Sequence, residues 1–189
     1  MSDKTYTIRK YQDRDKENVL KVLYETSSMP IETEDQRLFL RLMFNDYYTD
    51  EEGDNCFVVA DADDEAVGYI LCAENYDEYE RVFKEKYAPK IAPLGKKYSA
   101  IVKAEFFAHK LFKKKYPAHL HIDILPSCQG AGAGSRLVTA LGEHLSTKGV
   151  HGLMLSCGAG NKMAIKFYSK NNFKKIINLF GNYIMAKEV

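Results

Sequence analysis

HIDILPSCQGAGAGSRL, residues 121–137, packs three glycines and two alanines into five consecutive positions between a strand-like run and a helix-like one. No side chain from Gly130 to Gly134 is larger than a methyl. A core has little use for such a loop, but a backbone that must come close to something does. A strand turning sharply into a helix aims the helix's first unbonded N–H groups at one point. With the helix dipole, those groups make an anion site. Glycines let the amides converge on phosphate oxygens without obstruction and permit positive φ. Leu137, Val138, Leu141 and Leu145 give the next segment, 134–148, an apolar helical stripe, and Gly149 closes it.

Three phosphate-binding patterns compete for the loop, beside a reading in which its small residues serve close packing alone. A P-loop, GxxxxGK[ST], fails because Ser135 follows Gly134 directly where a lysine is required. A dinucleotide-binding GxGxxG lacks its last glycine at Ser135. No acidic residue ends the following strand, HGLMLSCG, where a ribose partner would sit. The third pattern, [QR]xxGx[GA], is met by Gln129, Gly132 and Gly134. Further on stands NKMAIKFYSKNNF, residues 161–173. Asn161 can cap a short helix there, and Asn161, Ala164 or Ile165, and Tyr168 fall on one face of it. Tyr168 also reads as a core aromatic beside Phe167.

Working outward, Thr5–Tyr11 alternates as a first strand, and 13–26 and 34–48 carry apolar residues at helical spacing. Residues 56–74 read as a hairpin turning at 63–65. Residues 76–116 hold two helices joined at Pro89–Pro93–Gly95. A strand at 118–125, the glycine loop, the helix at 134–148, a strand at 152–157, a helix at 161–170 and two strands split by Gly181-Asn182 complete the chain. The order β-α-α-β-β-(insert)-β-α-β-α-β-β predicts a mixed sheet with helices on its faces.

At the loop and at 161–173 the sequence resembles the GNAT superfamily of acetyl-CoA-dependent N-acetyltransferases. ILPSCQGAGAGSRL is similar to that family's cofactor-binding segment, and NKMAIKFYSKNNF to its N-x-x-A-x-x-F-Y segment. The hairpin carrying AVGYI fits the family's second and third strands. AHLHIDILP with KFYSK also resembles the acetyltransferase-like domain at the C-terminal end of some O-GlcNAcases. The resemblance implies one GNAT-like α/β (α+β) domain over 1–189. Its central sheet is mixed and mostly antiparallel, of about six to seven strands with helices on both faces. Acetyl-CoA, the co-substrate, is implied to lie between the fourth and fifth strands, which splay apart. Its diphosphate takes amides from Gln129, Gly130, Ala131, Gly132, Ala133 and Gly134, with Ser135 in the same binding set. Its pantetheine arm pairs with backbone near Ile124 and Leu125. Asn161 holds the arm from the other side, Ala164 is small enough to let it pass, and Tyr168 sits near the thioester sulfur. Arg136 is a further candidate for a phosphate contact. No metal is implied.

Acetyl transfer to an amine sets three requirements. The amine must be neutral, although an alkylammonium titrates near ~10.4. The carbonyl oxygen needs a donor as it gains charge, and a backbone N–H near Leu125 is the candidate. The departing thiolate needs a proton, for which the Tyr168 phenol serves. Alternation on strand 118–125 puts His119, His121 and Asp123 on one face. Asp123, nearest the loop, is the first candidate to deprotonate or orient the acceptor, and the O-GlcNAcase-type likeness has an Asp at the matching place. His121 comes second. His119 is expected to pair with these groups or with the acidic N-terminal helices. Many family members pass the proton through water instead.

The family joins its third and fourth strands by a short turn; this chain places the helical insert there. It offers either a lid or a homodimer surface. The net charge of +1 hides an asymmetry: residues 1–80 hold 8 Lys+Arg against 21 Asp+Glu, and the remainder reverses it. Two mutually attractive solvated faces explain that, as does a cationic acceptor near the first half, such as a polyamine, an aminoglycoside-like sugar or a protein amine. No basic stripe interleaved with aromatics suggests nucleic acid, no apolar run suggests a membrane, and the start is polar. Four cysteines without zinc spacing read as cytoplasmic thiols. The rival to an enzyme is a catalytically idle acyl-CoA sensor or interaction module on the same fold.

Overall fold

Among the described residues, 6–189 of a computed structural model, seven strands hydrogen-bond into one sheet. They are β1 (Thr7–Lys10), β2 (Phe57–Ala60), β3 (Ala66–Ala73), β4 (Ala118–Ile124), β5 (Gly152–Gly158), β6 (Lys174–Leu179) and β7 (Asn182–Glu188), in the spatial order β1-β2-β3-β4-β5-β7-β6. The sheet is mixed and mostly antiparallel, with helices on both sides, as expected from the sequence. β1–β2–β3 is an antiparallel meander. β4 and β5 pair in parallel at Ala118↔Leu153 and His119↔Met154, and β7 runs antiparallel to both β5 and β6. Thr5, the start of the first expected strand, lies outside the described residues.

The helices are α1 (Lys16–Thr26), α2 (Glu34–Arg41), α3 (Tyr47–Glu51), α4 (Tyr76–Val82), α5 (Ala88–Ile91), α6 (Lys96–Lys110), α7 (Ala133–Thr147) and α8 (Lys162–Lys170). The helix expected over 34–48 runs without interruption, with a π turn, Leu42–Asp46, between α2 and α3. A second π turn, Phe83–Tyr87, joins α4 to α5. One extra residue per turn rotates the following side chains about the axis, and hydrophobic spacing does not reveal it. The expected joint at Pro89–Pro93–Gly95 narrows to Gly95. Both prolines stand in the first turns of helical pieces, where no N–H is needed. Gly95, at φ 123°, ends that run before α6.

The chain forms two compact units, Met1–Cys72 with His121–His144, and Ala73–Leu120 with Leu145–Val189. In the first, Val19, Leu23, Phe39, Ile70, Leu137 and Leu141 are almost wholly buried. Each such side chain contributes about 1.5–3 kcal/mol of transfer free energy. A capping box opens α2: the Thr33 hydroxyl accepts from Gln36 N, and the Gln36 side chain returns to the Thr33 backbone. In the second unit the insert builds its own aromatic core from Tyr76, Tyr79, Phe83 and Phe106. Among the described residues no helix is long and apolar enough to cross a membrane.

Candidate functional site

The first unit carries the glycine loop. A short 3-10 turn, Pro126–Cys128, leads from β4 into it, with Cys128 N–H donated to the Leu125 carbonyl at 2.8 Å. Gly130 and Gly132 adopt φ 90° and 72°, the left-handed region that costs other residues most. A Cβ at either would meet nothing within 4 Å, so these glycines are needed for backbone shape rather than for close packing. Residues 129–132 are exposed, and Ala133 is buried as α7 begins. The Gln129 N–H is engaged with the Pro126 carbonyl at 3.4 Å, and Arg136 N–H with the Gly132 carbonyl at 3.1 Å. Between them, none of the N–H groups of residues 130–134 bonds to another described residue. The expected row of amides therefore starts one residue later than Gln129. These uncommitted donors, exposed at 130–132 and more enclosed at 133–134, stand at the N-terminus of a fifteen-residue helix and suit a diphosphate. Arg136 donates to the Tyr6 carbonyl at 2.7 Å.

At the end of β4 the backbone divides its duties. Leu125 N–H is donated to the Val67 carbonyl of β3 at 3.0 Å, so the expected oxyanion donor at that residue is already occupied. Gly68 lies opposite Ile124: a Cβ on Gly68 would come within 2.7 Å of Ile124 Cγ1 and 3.2 Å of its Cα. Val67 facing Leu125 and Gly68 facing Ile124 make β3 and β4 antiparallel. In such a ladder, hydrogen-bonded and non-bonded pairs alternate. Ile124 therefore turns its N–H and C=O away from β3. Its carbonyl accepts from Gln129 Nε2 at 2.9 Å.

Just before it, β4 places two of the expected ionisable groups together. Tyr69 Oη, from β3, donates to Asp123 Oδ2 at 3.0 Å and lies 3.1 Å from His121 Nδ1. His121 Nε2 is 3.7 Å from the same carboxylate oxygen. Thr26, at the end of α1 near Asp123, donates its hydroxyl proton to the Val22 carbonyl at 2.7 Å. Phe44, turned by the first π turn, stacks on His121 at 5.0 Å between ring centroids. Crowding by protein atoms raises the Asp123 carboxyl above the usual aspartate range, partly opposed by His121, Tyr69 and Thr26. Both side chains nonetheless keep water contact, 28% for His121 and 30% for Asp123, so the pair lines an open surface rather than a sealed core. Tyr69, Thr26 and Phe44 escaped the sequence reading; only Tyr69 stood in a quoted motif, AVGYI, as a strand residue.

The other expected residues belong to the second unit. Asn161 is exposed and caps α8, its Oδ1 accepting from Ala164 N at 3.0 Å. Ala164 is half-buried. Tyr168 is buried, with Phe167 and Phe173 at 5.3 and 5.7 Å between ring centroids, so it does contribute to an aromatic core. His119 also belongs here. It packs against Tyr79 at 4.3 Å between ring centroids and against Tyr76 and His109. Burial holds its ring well below the usual histidine range, and His109 adds to the effect.

The family model described as the acetyltransferase (GNAT) family matches residues 17–173. Among solved structures, the chain resembles one titled SsHAT at 24% identity, covering 97% of this chain and 98% of that one, with a TM-score of 0.87. It resembles PaiA N-acetyltransferase from Thermoplasma acidophilum, solved in complex with coenzyme A, at 17% identity, 98% and 99% coverage and TM-score 0.62. It resembles Drosophila melanogaster polyamine N-acetyltransferase, titled as forming N-acetylagmatine, at 13% identity, 98% and 100% coverage and TM-score 0.69.

Proposed function

Because the chain belongs to the acetyltransferase (GNAT) family and is an enzyme of that type, we propose that it moves acetyl from acetyl-CoA to a cationic amine by direct attack through a tetrahedral intermediate. The uncommitted amides of Gly130, Ala131, Gly132, Ala133 and Gly134 carry this reading. They donate to the diphosphate, with Ser135 at the rim and Gln129 bracing the Ile124 carbonyl. Bound acetyl-CoA supplies the electrophilic thioester.

Every other task falls to the chain. The Ile124 N–H takes over the oxyanion contact from Leu125, whose own N–H stays with Val67. Leu125 fixes the strand end against which the pantetheine arm is aligned. Asn161, held by its capping bond, orients its amide nitrogen for that arm, and Ala164 leaves room beside it. Tyr168 gives its phenol proton to the departing thiolate. Asp123 orients the acceptor ammonium and lowers the cost of bringing it in. The acidic first half of the sequence favours such an acceptor, and so does the likeness to a structure named for polyamine acetylation. We place the protein in the cytoplasm, on its four buried cysteines, read as reduced thiols.

Thiol release with a panel of di- and polyamines tests the reading. Wild type is expected to release thiol with at least one of them, and Tyr168→Phe to bind CoA equally well but turn over about 10²-fold more slowly. If both proteins bind CoA and neither releases thiol with any amine, the chain is an idle acyl-CoA binder.

A further inference from the structure

Resting on that acetyl-transfer reading, we propose that His121 Nε2 takes the proton from the acceptor ammonium, with Tyr69 fixing its tautomer and Asp123 holding the imidazolium that results. The argument begins with the single proton of Tyr69. It is donated to Asp123 Oδ2, so the phenol oxygen offers His121 Nδ1, 3.1 Å away, only lone pairs. Nδ1 must then carry the hydrogen of the neutral ring. The free lone pair is left on Nε2.

Nε2 is 3.7 Å from Asp123 Oδ2, too long for a hydrogen bond in the neutral ring. Once Nε2 is protonated, the same distance is a close ion pair. Phe44 and Tyr69 stack on the imidazole with interplanar angles of 24° and 25°, which fixes the ring plane and offers π-faces to a cation. Asp123 Oδ2 already accepts the Tyr69 proton, which leaves this carboxylate oxygen committed while Nε2 of His121 is not. Among the described residues, Tyr69 from β3 and Asp123 from β4 are the titratable groups in contact with His121; Phe44 brings no charge.

The step balances. The ammonium RNH₃⁺ gives one proton to Nε2. The amine lone pair forms the new C–N bond to the thioester carbonyl carbon, and the C–S bond breaks with its electrons going to sulfur. A second proton, lost from the nitrogen, offsets the one the thiolate gains in becoming CoA-SH. The proton on His121 passes to water, to which its side chain is 28% open.

Two measurements test the assignment. Long-range ¹H–¹⁵N spectra of ¹⁵N-histidine-labelled protein are expected to find neutral His121 protonated on Nδ1, and Tyr69→Phe is expected to release that tautomer. In parallel, kcat/KM is followed against pH with the best amine of the panel. His121→Asn is expected to lose about 10²–10⁴-fold and its acidic limb, with CoA affinity retained. Tyr69→Phe is expected to lose less and to displace that limb, which a merely structural role for the phenol would not do. Neutral His121 protonated on Nε2 in wild type, or an acidic limb unchanged in His121→Asn, overturns the proposal. Activity that survives His121→Asn sinks this assignment alone, whereas a wild type that acetylates no amine sinks the acetyl-transfer reading and the proton acceptor with it.

Discussion

Gly132 is where a single residue most directly ties backbone shape to binding. Its φ of 72° costs an L-residue about 1–2 kcal/mol, yet the space around it is open. Gly132→Ala is therefore expected to lower stability by about 1 kcal/mol through strain alone, and to weaken CoA by tilting the neighbouring amides. Thermal melts and calorimetry read the two effects separately. His119 offers a second check. The fold favours its neutral ring, so its folded-state pKa lies below the unfolded value near ~6.5. Below pH ~6.5 the unfolded chain binds the extra proton, and stability falls by up to about 1.4 kcal/mol per pH unit. Asp123, raised by burial, acts in the opposite sense at more acidic pH, so the comparison must be with His119→Phe. Urea midpoints between pH 7.5 and 5.0 should fall faster for wild type than for that variant. At this scale the glycine loop was legible as an anion site, and the open space around Gly130 and Gly132 then removed the close-packing alternative. Tyr69 and Asp123 stand 54 positions apart, and only the pairing of β3 with β4 brings them together.

Among the elements, the helical insert between β3 and β4 carries a core of its own. Tyr76, Tyr79, Phe83 and Phe106 fill a satellite core, whereas Phe107 is exposed. Phe106 is stacked on Tyr79 at 5.2 Å and packed on Phe83, so Phe106→Ala is expected to cost about 3–5 kcal/mol. A denaturant titration showing less than about 1 kcal/mol would mean that this core collapses around the gap without loss. Element order and type were readable from periodicity, and Asn161 was rightly seen as a cap because its position before an apolar helical face is a local signal. The π turns were not readable. The one at 42–46 decides where Phe44 points, and so which ring rests on His121. The fate of the Leu125 N–H was hidden for a related reason: alternation names the face of a side chain but not the strand that receives each backbone donor.

For the molecule as a whole, sequence established the mixed sheet but not the adjacency of β5 to β7 with β6 outside it, since long-range pairing leaves no periodic trace. The charge asymmetry carries a prediction at this scale. If the acidic first half draws in a cationic acceptor, raising ionic strength from low salt to beyond physiological should raise KM for a diamine more than for a monoamine of equal length. Equal salt dependence would assign the asymmetry to the protein's own solvated faces. The central claim is that uncommitted backbone amides between residues 130 and 134 hold the diphosphate of coenzyme A. Calorimetric titration of wild type with CoA and with pantetheine, which lacks that diphosphate, tests it most directly. The account predicts clear binding of CoA and at least about tenfold weaker binding of pantetheine, a loss of about 1.4 kcal/mol or more; no heat with CoA, or equal affinity for the two, would contradict it.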